Sequence, residues 1–180
     1  LTATEVKELY SGASVPFKYS QPGNVLTGDP NLATGWSSNG MGGATTGQSD
    51  PFGGSSAILR PVASGQSDAW MEASNKITHK VGETFRFSVW MKAADAKQID
   101  IHLRGHNNEK SSTTCNVTTS WQQFSVERTF GDAGTNGDAI IGGYNTWETG
   151  EDIFFFNAIV ERPGCVAEYD GSGMTESIWH

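Results

Sequence analysis

Apolar and polar residues alternate with a period of two along most of the chain. In residues 84–92, every second position is Phe, Val or Met, and charged, polar or tryptophan side chains fill the positions between them. Residues 97–104 repeat the alternation, and clusters of glycine, serine and proline separate such segments. This pattern predicts an all-β fold, a β-sandwich of about nine antiparallel strands in two sheets. The predicted inward positions of these two strands are Phe85, Phe87, Val89, Met91, Ile99, Ile101 and Leu103.

Three segments depart from this alternation. Residues 4–10 have helical spacing, which predicts one short N-terminal helix. Residues 29–50 have no charged residue between their two end positions and contain five glycines, which predicts a long loop region anchored by Trp36, with a short strand near residues 43–47. Residues 153–160 carry apolar side chains on both faces, which predicts a strand that is covered on both sides.

Composition narrows the class of function. The 180 residues suffice for one domain, and 12 Lys and Arg against 20 Asp and Glu give a net charge of −8. A chain with this acidic balance lacks the basic surface that neutralises phosphates. We therefore expect no nucleic-acid partner. No apolar run approaches the roughly 20 residues that span a bilayer, so we expect no membrane insertion. Two cysteines, Cys115 and Cys165, are too few for a zinc site, and their pairing stays open.

Motifs for enzymatic chemistry are absent from the sequence. It contains no nucleophile elbow, zinc-protease helix, P-loop or dinucleotide fingerprint. Glycoside hydrolysis needs only a suitably spaced pair of carboxylates, and Asp and Glu residues are available for one. Acidic residues on a solvated β surface are the more usual case, so we predict a protein without catalytic activity. The available carboxylates are Glu72, Asp100, Glu127, Glu148 and Asp152.

The aromatic residues indicate a binding function. Sugars present flat C–H faces fringed by hydroxyl groups, so a sugar site combines exposed rings with hydrogen-bonding side chains. Because the segments 83–93 and 97–104 are joined by a short connection, we predict that they pair and that their outward residues form one face. Tyr144 and Trp147 in a glycine-flanked loop, together with Trp70, would add rings at its rim. The candidate ligand-binding residues are Trp70, Arg86, Trp90, His102, Arg104, Tyr144 and Trp147.

Several aromatic and charged residues also have a purely structural interpretation. Trp121 follows Ser120 at the start of a strand and is expected to plug the edge of the core, and Trp36 is expected to anchor its loop. Trp90 fits burial and exposure equally well. Arg86 or Arg104 could form a surface ion pair with Asp100, which contributes little to stability.

Residues 24–161 resemble the jelly-roll carbohydrate-binding modules of families 4, 9, 16 and 22. The resemblance rests on the segments Asn24–Thr27, Gly35-Trp36, Gly82–Ala93, Thr118–Phe124 and Ile153–Glu161. It implies a domain that binds glycans without catalysis. It also implies a structural Ca²⁺ held by oxygens of the entry and last strands, where this chain has Asp29 and Asn157.

The two ends resemble parts of other domains. Residues 1–23 are similar to the closing helix and linker of a laminin-G-like lectin domain, and residues 162–180 to the opening of another. Such an arrangement resembles bacteriophage tail-fibre proteins. It implies a module of a longer, extracellular or virion-associated chain whose partners are a polysaccharide or cell-surface glycan and its neighbouring domains. The alternatives are a structural spacer or oligomerisation domain of a tail fibre, and a glycan-degrading enzyme.

Overall fold

The computed structural model describes residues 25–26, 32–63, 69–142 and 149–163. Within these ranges the chain forms eleven strands and no helix, which confirms the all-β fold; the helix predicted at residues 4–10 lies outside them. There are more strands than the nine predicted, because short strands such as β1 form inside the segment predicted as a loop. The strands are β1 (Trp36–Asn39), β2 (Thr45–Gln48), β3 (Ala57–Pro61), β4 (Trp70–Ala73), β5 (Ile77–His79), β6 (Thr84–Ala93), β7 (Lys97–Arg104), β8 (Lys110–Val117), β9 (Gln122–Thr129), β10 (Gly134–Gly142) and β11 (Asp152–Glu161).

The strands form two antiparallel sheets that bury their apolar sides in one core. The first sheet has the order β1-β4-β10-β7-β8, and β5 pairs with the other end of β10. The second sheet has the order β2-β3-β11-β6-β9. Buried residues from both sheets belong to a single hydrophobic cluster, which is the arrangement of a β-sandwich.

The period-two alternation predicted the core positions correctly. All seven inward side chains predicted on β6 and β7 are fully buried. Trp36 is also buried, with its ring centroid 6.1 Å from that of Phe87, as expected for the residue that anchors this segment.

The predicted pairing of β6 with β7 is wrong. β6 pairs with β9 and β11 in the second sheet, whereas β7 pairs with β8 and β10 in the first. The three residues 94–96 therefore carry the chain from one sheet to the other. Arg86 and Trp90 consequently lie on one outer surface of the sandwich, and His102 and Arg104 lie on the opposite one.

The last strand is also less covered than predicted. β11 lies in the middle of the second sheet, and its inward side chains are buried, but Phe154 and Phe156 on its outer side are only half-buried. A bulge between Phe156 and Ile159 places Asn157 at φ 53°, in the left-handed region that Asn tolerates better than most residues.

Candidate functional site

A mostly polar surface with one tryptophan covers the outer side of the first sheet. Trp70 on β4 lies opposite Asn39 on β1 and opposite Gly142 on β10. Since glycine has no side chain, β10 places nothing beside the half-buried Trp70 ring at this position. We call this surface the Trp70 face; its outward residues include Ser37, Asn39, Trp70, Glu72, Asp100, His102, Arg104, Lys110, Ser112, Thr114, Asp138 and Ile140.

A cluster of two cations and two carboxylates lies beside Trp70 on this face. Arg104 donates from Nε (2.9 Å) and Nη2 (2.5 Å) to Oδ2 of Asp138, and from Nη2 to Glu72 Oε2 at 3.1 Å. Lys76 binds Glu72 Oε1 at 2.7 Å and also binds Asp138. Burial alone would lower the pKa of Lys76, but its bonds to the two carboxylates raise it overall. The cluster is formally neutral and connects three neighbouring strands.

His102 supports the Trp70 face from within. The residue is only 1% exposed, and its Nε2–H donates to the backbone oxygen of Gly142 at 3.0 Å. Burial, with the positive charge of Lys110 as the next contribution, lowers the pKa of His102, so the ring is neutral and Nδ1 accepts from the Ser112 hydroxyl at 2.7 Å. His102 therefore fixes the end of β10, immediately before the segment that contains Tyr144 and Trp147.

The structure brings together only some of the predicted site residues. Trp70, His102 and Arg104 share the Trp70 face, whereas Arg86 and Trp90 lie on the outer side of the second sheet. Tyr144 and Trp147 lie outside the described residues.

Arg86 and Asp100 lie in different sheets, so the alternative that these two residues form an ion pair is wrong. Arg86 bonds Glu127 at 2.9 Å and lies 3.6 Å from Glu161, and Arg104 bonds Asp138 and Glu72.

Aromatic side chains are more numerous on the second sheet than the sequence pattern indicated. Trp121 is half-buried on this outer side with the Lys92 ammonium 5.1 Å from its ring centroid, and it is not part of the core cluster. Nothing in the pattern singled out Phe52, which is 73% exposed, or the outward Phe154 and Phe156. The run Asp50-Pro51-Phe52-Gly53-Gly54 was the available signal, since a turn sequence that contains a large aromatic presents that ring to solvent.

Metal-ligating side chains are sparse in the described part of the chain. No group of three or more His, Cys, Asp or Glu residues is placed there to hold a metal ion. Of the two residues expected to hold calcium, Asn157 lies in the bulge of β11 and Asp29 lies outside the described residues, so the calcium site stays a prediction.

Two further findings concern the thiols and the membrane. Cys115 is a buried free thiol whose pKa is raised to about 12 by burial and by the charge of Asp100, and Cys165 lies outside the described residues. Over the described residues, the structure has no helix with the length and apolar character needed to cross a bilayer.

The sequence matches one family model. Residues 29–143, more than half of the chain, match the family described as carbohydrate binding domain, CBM_4_9. No curated protein matches the sequence.

Solved structures share the fold at low sequence identity. One described as CBM4 is 13% identical with a TM-score of 0.56, and the match covers 71% of this chain and 94% of that one. The CBM22-1 xylan-binding domain of Paenibacillus barcinonensis Xyn10C is 11% identical with a TM-score of 0.53, and the match covers 74% and 90%. The enzymatically active domain of tailspike protein 4 from bacteriophage CBA120 is 14% identical with a TM-score of 0.57, but the match covers 78% of this chain and only 21% of that one.

Proposed function

This chain belongs to the carbohydrate binding domain family CBM_4_9, and we propose that it binds a polysaccharide, without catalysis, across the Trp70 face. The observation that carries the proposal is the half-buried Trp70 ring between Asn39 and the side-chain-free Gly142. A tryptophan ring offers a flat apolar surface to the C–H face of a sugar. Amide and hydroxyl groups on the same face, such as those of Asn39 and Thr114, are suited to the hydroxyl groups around it.

Non-catalytic binding is supported by the state of the carboxylates beside Trp70. A glycosidase needs one carboxyl group to deliver a proton and a second to act as base or nucleophile. Glu72 and Asp138 are each bonded to both Lys76 and Arg104, and Asp138 is only 4% exposed. Carboxylates held in this way stabilise the sheet and are not positioned to attack a substrate.

Tyr144 and Trp147 extend the proposed site. Tyr144 follows Gly142 by two positions in the sequence, and Gly142 is the residue that lies opposite Trp70. We expect these two rings to add stacking surfaces beside Trp70.

Replacing Trp70 tests the proposed function. Trp70→Ala should weaken binding by about 1–3 kcal/mol, the usual contribution of one stacking ring, which is roughly 5- to 150-fold in the dissociation constant. Affinity electrophoresis in gels that contain soluble xylan, mannan or β-glucan measures the change. Trp70→Phe keeps a flat ring and should retain most of the affinity.

Unchanged binding by Trp70→Ala, with an unchanged fold, would contradict this assignment. If the unaltered protein binds none of the polysaccharides, the structural-spacer alternative is favoured instead.

The calcium expected from the sequence stays part of the proposal, held by oxygens of the entry and last strands that include those of Asp29 and Asn157. A bound structural ion stabilises the folded state only. The thermal midpoint should therefore fall in EDTA and recover with added Ca²⁺, with Mg²⁺ as the control. An EDTA-independent midpoint would remove calcium from the proposal.

The biological setting is also proposed as the sequence indicates it: a module of a longer, extracellular or virion-associated chain that meets a cell-surface glycan. The similarity to a phage tailspike, which is one of fold alone, is compatible with this setting. The laminin-G-like ends lie outside the described residues, apart from positions 162 and 163.

A further inference from the structure

The outer side of the second sheet carries an aromatic surface that the Trp70 face does not include. Phe156 on β11 lies opposite Trp90 on β6, and Trp90 lies opposite Gln123 on β9. One row away, Phe154 lies opposite Lys92, whose ammonium is 4.7 Å from the Phe154 ring centroid. All of these aromatic rings are half-buried, so each is in part accessible. We call this surface the Trp90 face; it comprises Phe52, Trp90, Lys92, Trp121, Gln123, Ser125, Phe154 and Phe156.

Phe52 stands at the edge of this surface. Its ring centroid is 5.4 Å from that of Trp90, with an interplanar angle of 75°, and 6.0 Å from that of Phe156, with an angle of 65°. Phe52 is nevertheless 73% exposed and is, with Val81 at 68%, one of two strongly exposed large apolar residues in the described part of the chain. The three rings therefore form an open apolar corner and not a closed part of the core.

The loop that carries Phe52 is held in place by its own hydrogen bonds. Asp50 Oδ1 accepts from the backbone nitrogens of Phe52 at 2.9 Å and Gly54 at 3.0 Å, and Oδ2 accepts from that of Ser56 at 3.2 Å. Although desolvation would raise the pKa of Asp50, these bonds lower it overall. A ring presented by an ordered loop loses little conformational freedom on binding, which favours a binding role.

The two basic side chains around the Trp90 face contact groups of the protein itself. Arg86 is bonded to Glu127 and lies near Glu161, and Lys92 lies over the rings of Trp121 and Phe154. A surface that binds anionic lipids or an acidic partner presents several basic side chains to that partner, and this face does not have such a cluster among its named residues. Aromatic rings interleaved with the amide of Gln123 and the hydroxyl of Ser125 match a neutral ligand with apolar faces and hydroxyl edges.

We infer that the Trp90 face is a second carbohydrate-binding surface, which takes the sugar faces of a neutral polysaccharide on Phe52, Trp90 and Phe156. It lies on the opposite sheet from the Trp70 face and acts independently of it. The ligand class is that of the proposed function, but the residues that bind it are different.

The test separates the two faces by combining substitutions. Binding isotherms are measured on insoluble cellulose, xylan, mannan, chitin and β-1,3-glucan. Trp70→Ala should retain binding to at least one of these solids. Adding Phe52→Ala should weaken the remaining binding roughly 5- to 100-fold. Adding Val81→Ala, which removes an equally exposed apolar side chain elsewhere, should leave it unchanged; Gln123→Ala is a second probe of the same face.

Each outcome decides between the two faces. If Trp70→Ala abolishes all binding, or if Phe52→Ala behaves like Val81→Ala, the second surface is overturned and the Trp70 face stands. If Phe52→Ala abolishes binding and Trp70→Ala does not change it, the Trp70 face fails and the second surface stands. No binding of the unaltered protein to any solid overturns both. Sedimentation that shows Phe52→Ala dissociating a dimer, with glycan binding unchanged, would assign the face to self-association.

Discussion

At the scale of single residues, two arginines with similar sequence surroundings have different roles. Arg104 binds two carboxylates, and the side chain of one of them, Asp138, is only 5% exposed. Arg86 binds Glu127 at the surface, where the two side chains are 39% and 54% exposed. The strand pattern placed both arginines on outward faces correctly, but it could not distinguish these surroundings, because the partners come from strands that are distant in sequence.

This difference predicts unequal stability effects. Arg104→Gln leaves Asp138 and Glu72 with Lys76 as their remaining cation. Breaking a fully buried pair costs about 3–5 kcal/mol. Because Arg104 is 32% exposed and Lys76 remains, we expect a smaller loss, about 1–3 kcal/mol in the free energy of unfolding. Arg86→Gln, the matched control, should cost at most about 1 kcal/mol. Chemical denaturation of both variants measures this, and equal losses would show that the cluster beside Trp70 contributes no more than a surface ion pair.

At the scale of strands, the sequence predicts faces better than neighbours. Alternation in β6 and β7 identified seven side chains that the structure buries, since a strand that buries one face must repeat with a period of two. The next strand can lie beside the first in the same sheet or cross to the opposite sheet. In either place it buries one face in the same core, so its sequence shows the same alternation. A short connection such as residues 94–96 therefore does not settle the pairing, and the hydrogen bonds that do, such as those of β6 with β11, join distant segments.

The candidate site shows the same limit. Trp70 was predicted from its residue type, but its position opposite Gly142 follows from the pairing of β4 with β10, which are about 70 residues apart in the chain. Phe154 and Phe156 were predicted to be covered because apolar residues on both faces are typical of an enclosed strand. In the structure both are only half-buried, with Phe52 beside the ring of Phe156 and the Lys92 ammonium over the ring of Phe154.

At the scale of the whole domain, the two proposed surfaces lie on opposite sides of a sandwich. Packed sheets are about 10 Å apart, and each surface faces away from the other. One short oligosaccharide therefore cannot reach both surfaces, whereas two separate polysaccharide chains can each occupy one. A domain built in this way would link chains, and its apparent affinity for a solid with many chains would exceed that of either surface alone.

Linking of chains gives the last prediction. When the domain is titrated into a dilute soluble polysaccharide that it binds, light scattering should rise to a maximum and fall again once the domain is in excess, because each chain is then saturated by separate domains. Trp70→Ala and Phe52→Ala should each abolish the maximum while retaining binding through the remaining surface, and Val81→Ala should preserve it. Scattering that persists in Phe52→Ala would mean that the polysaccharide chains are linked by another route, such as association of the domain with itself. The domain would then not link chains through its two faces, even if each face binds polysaccharide.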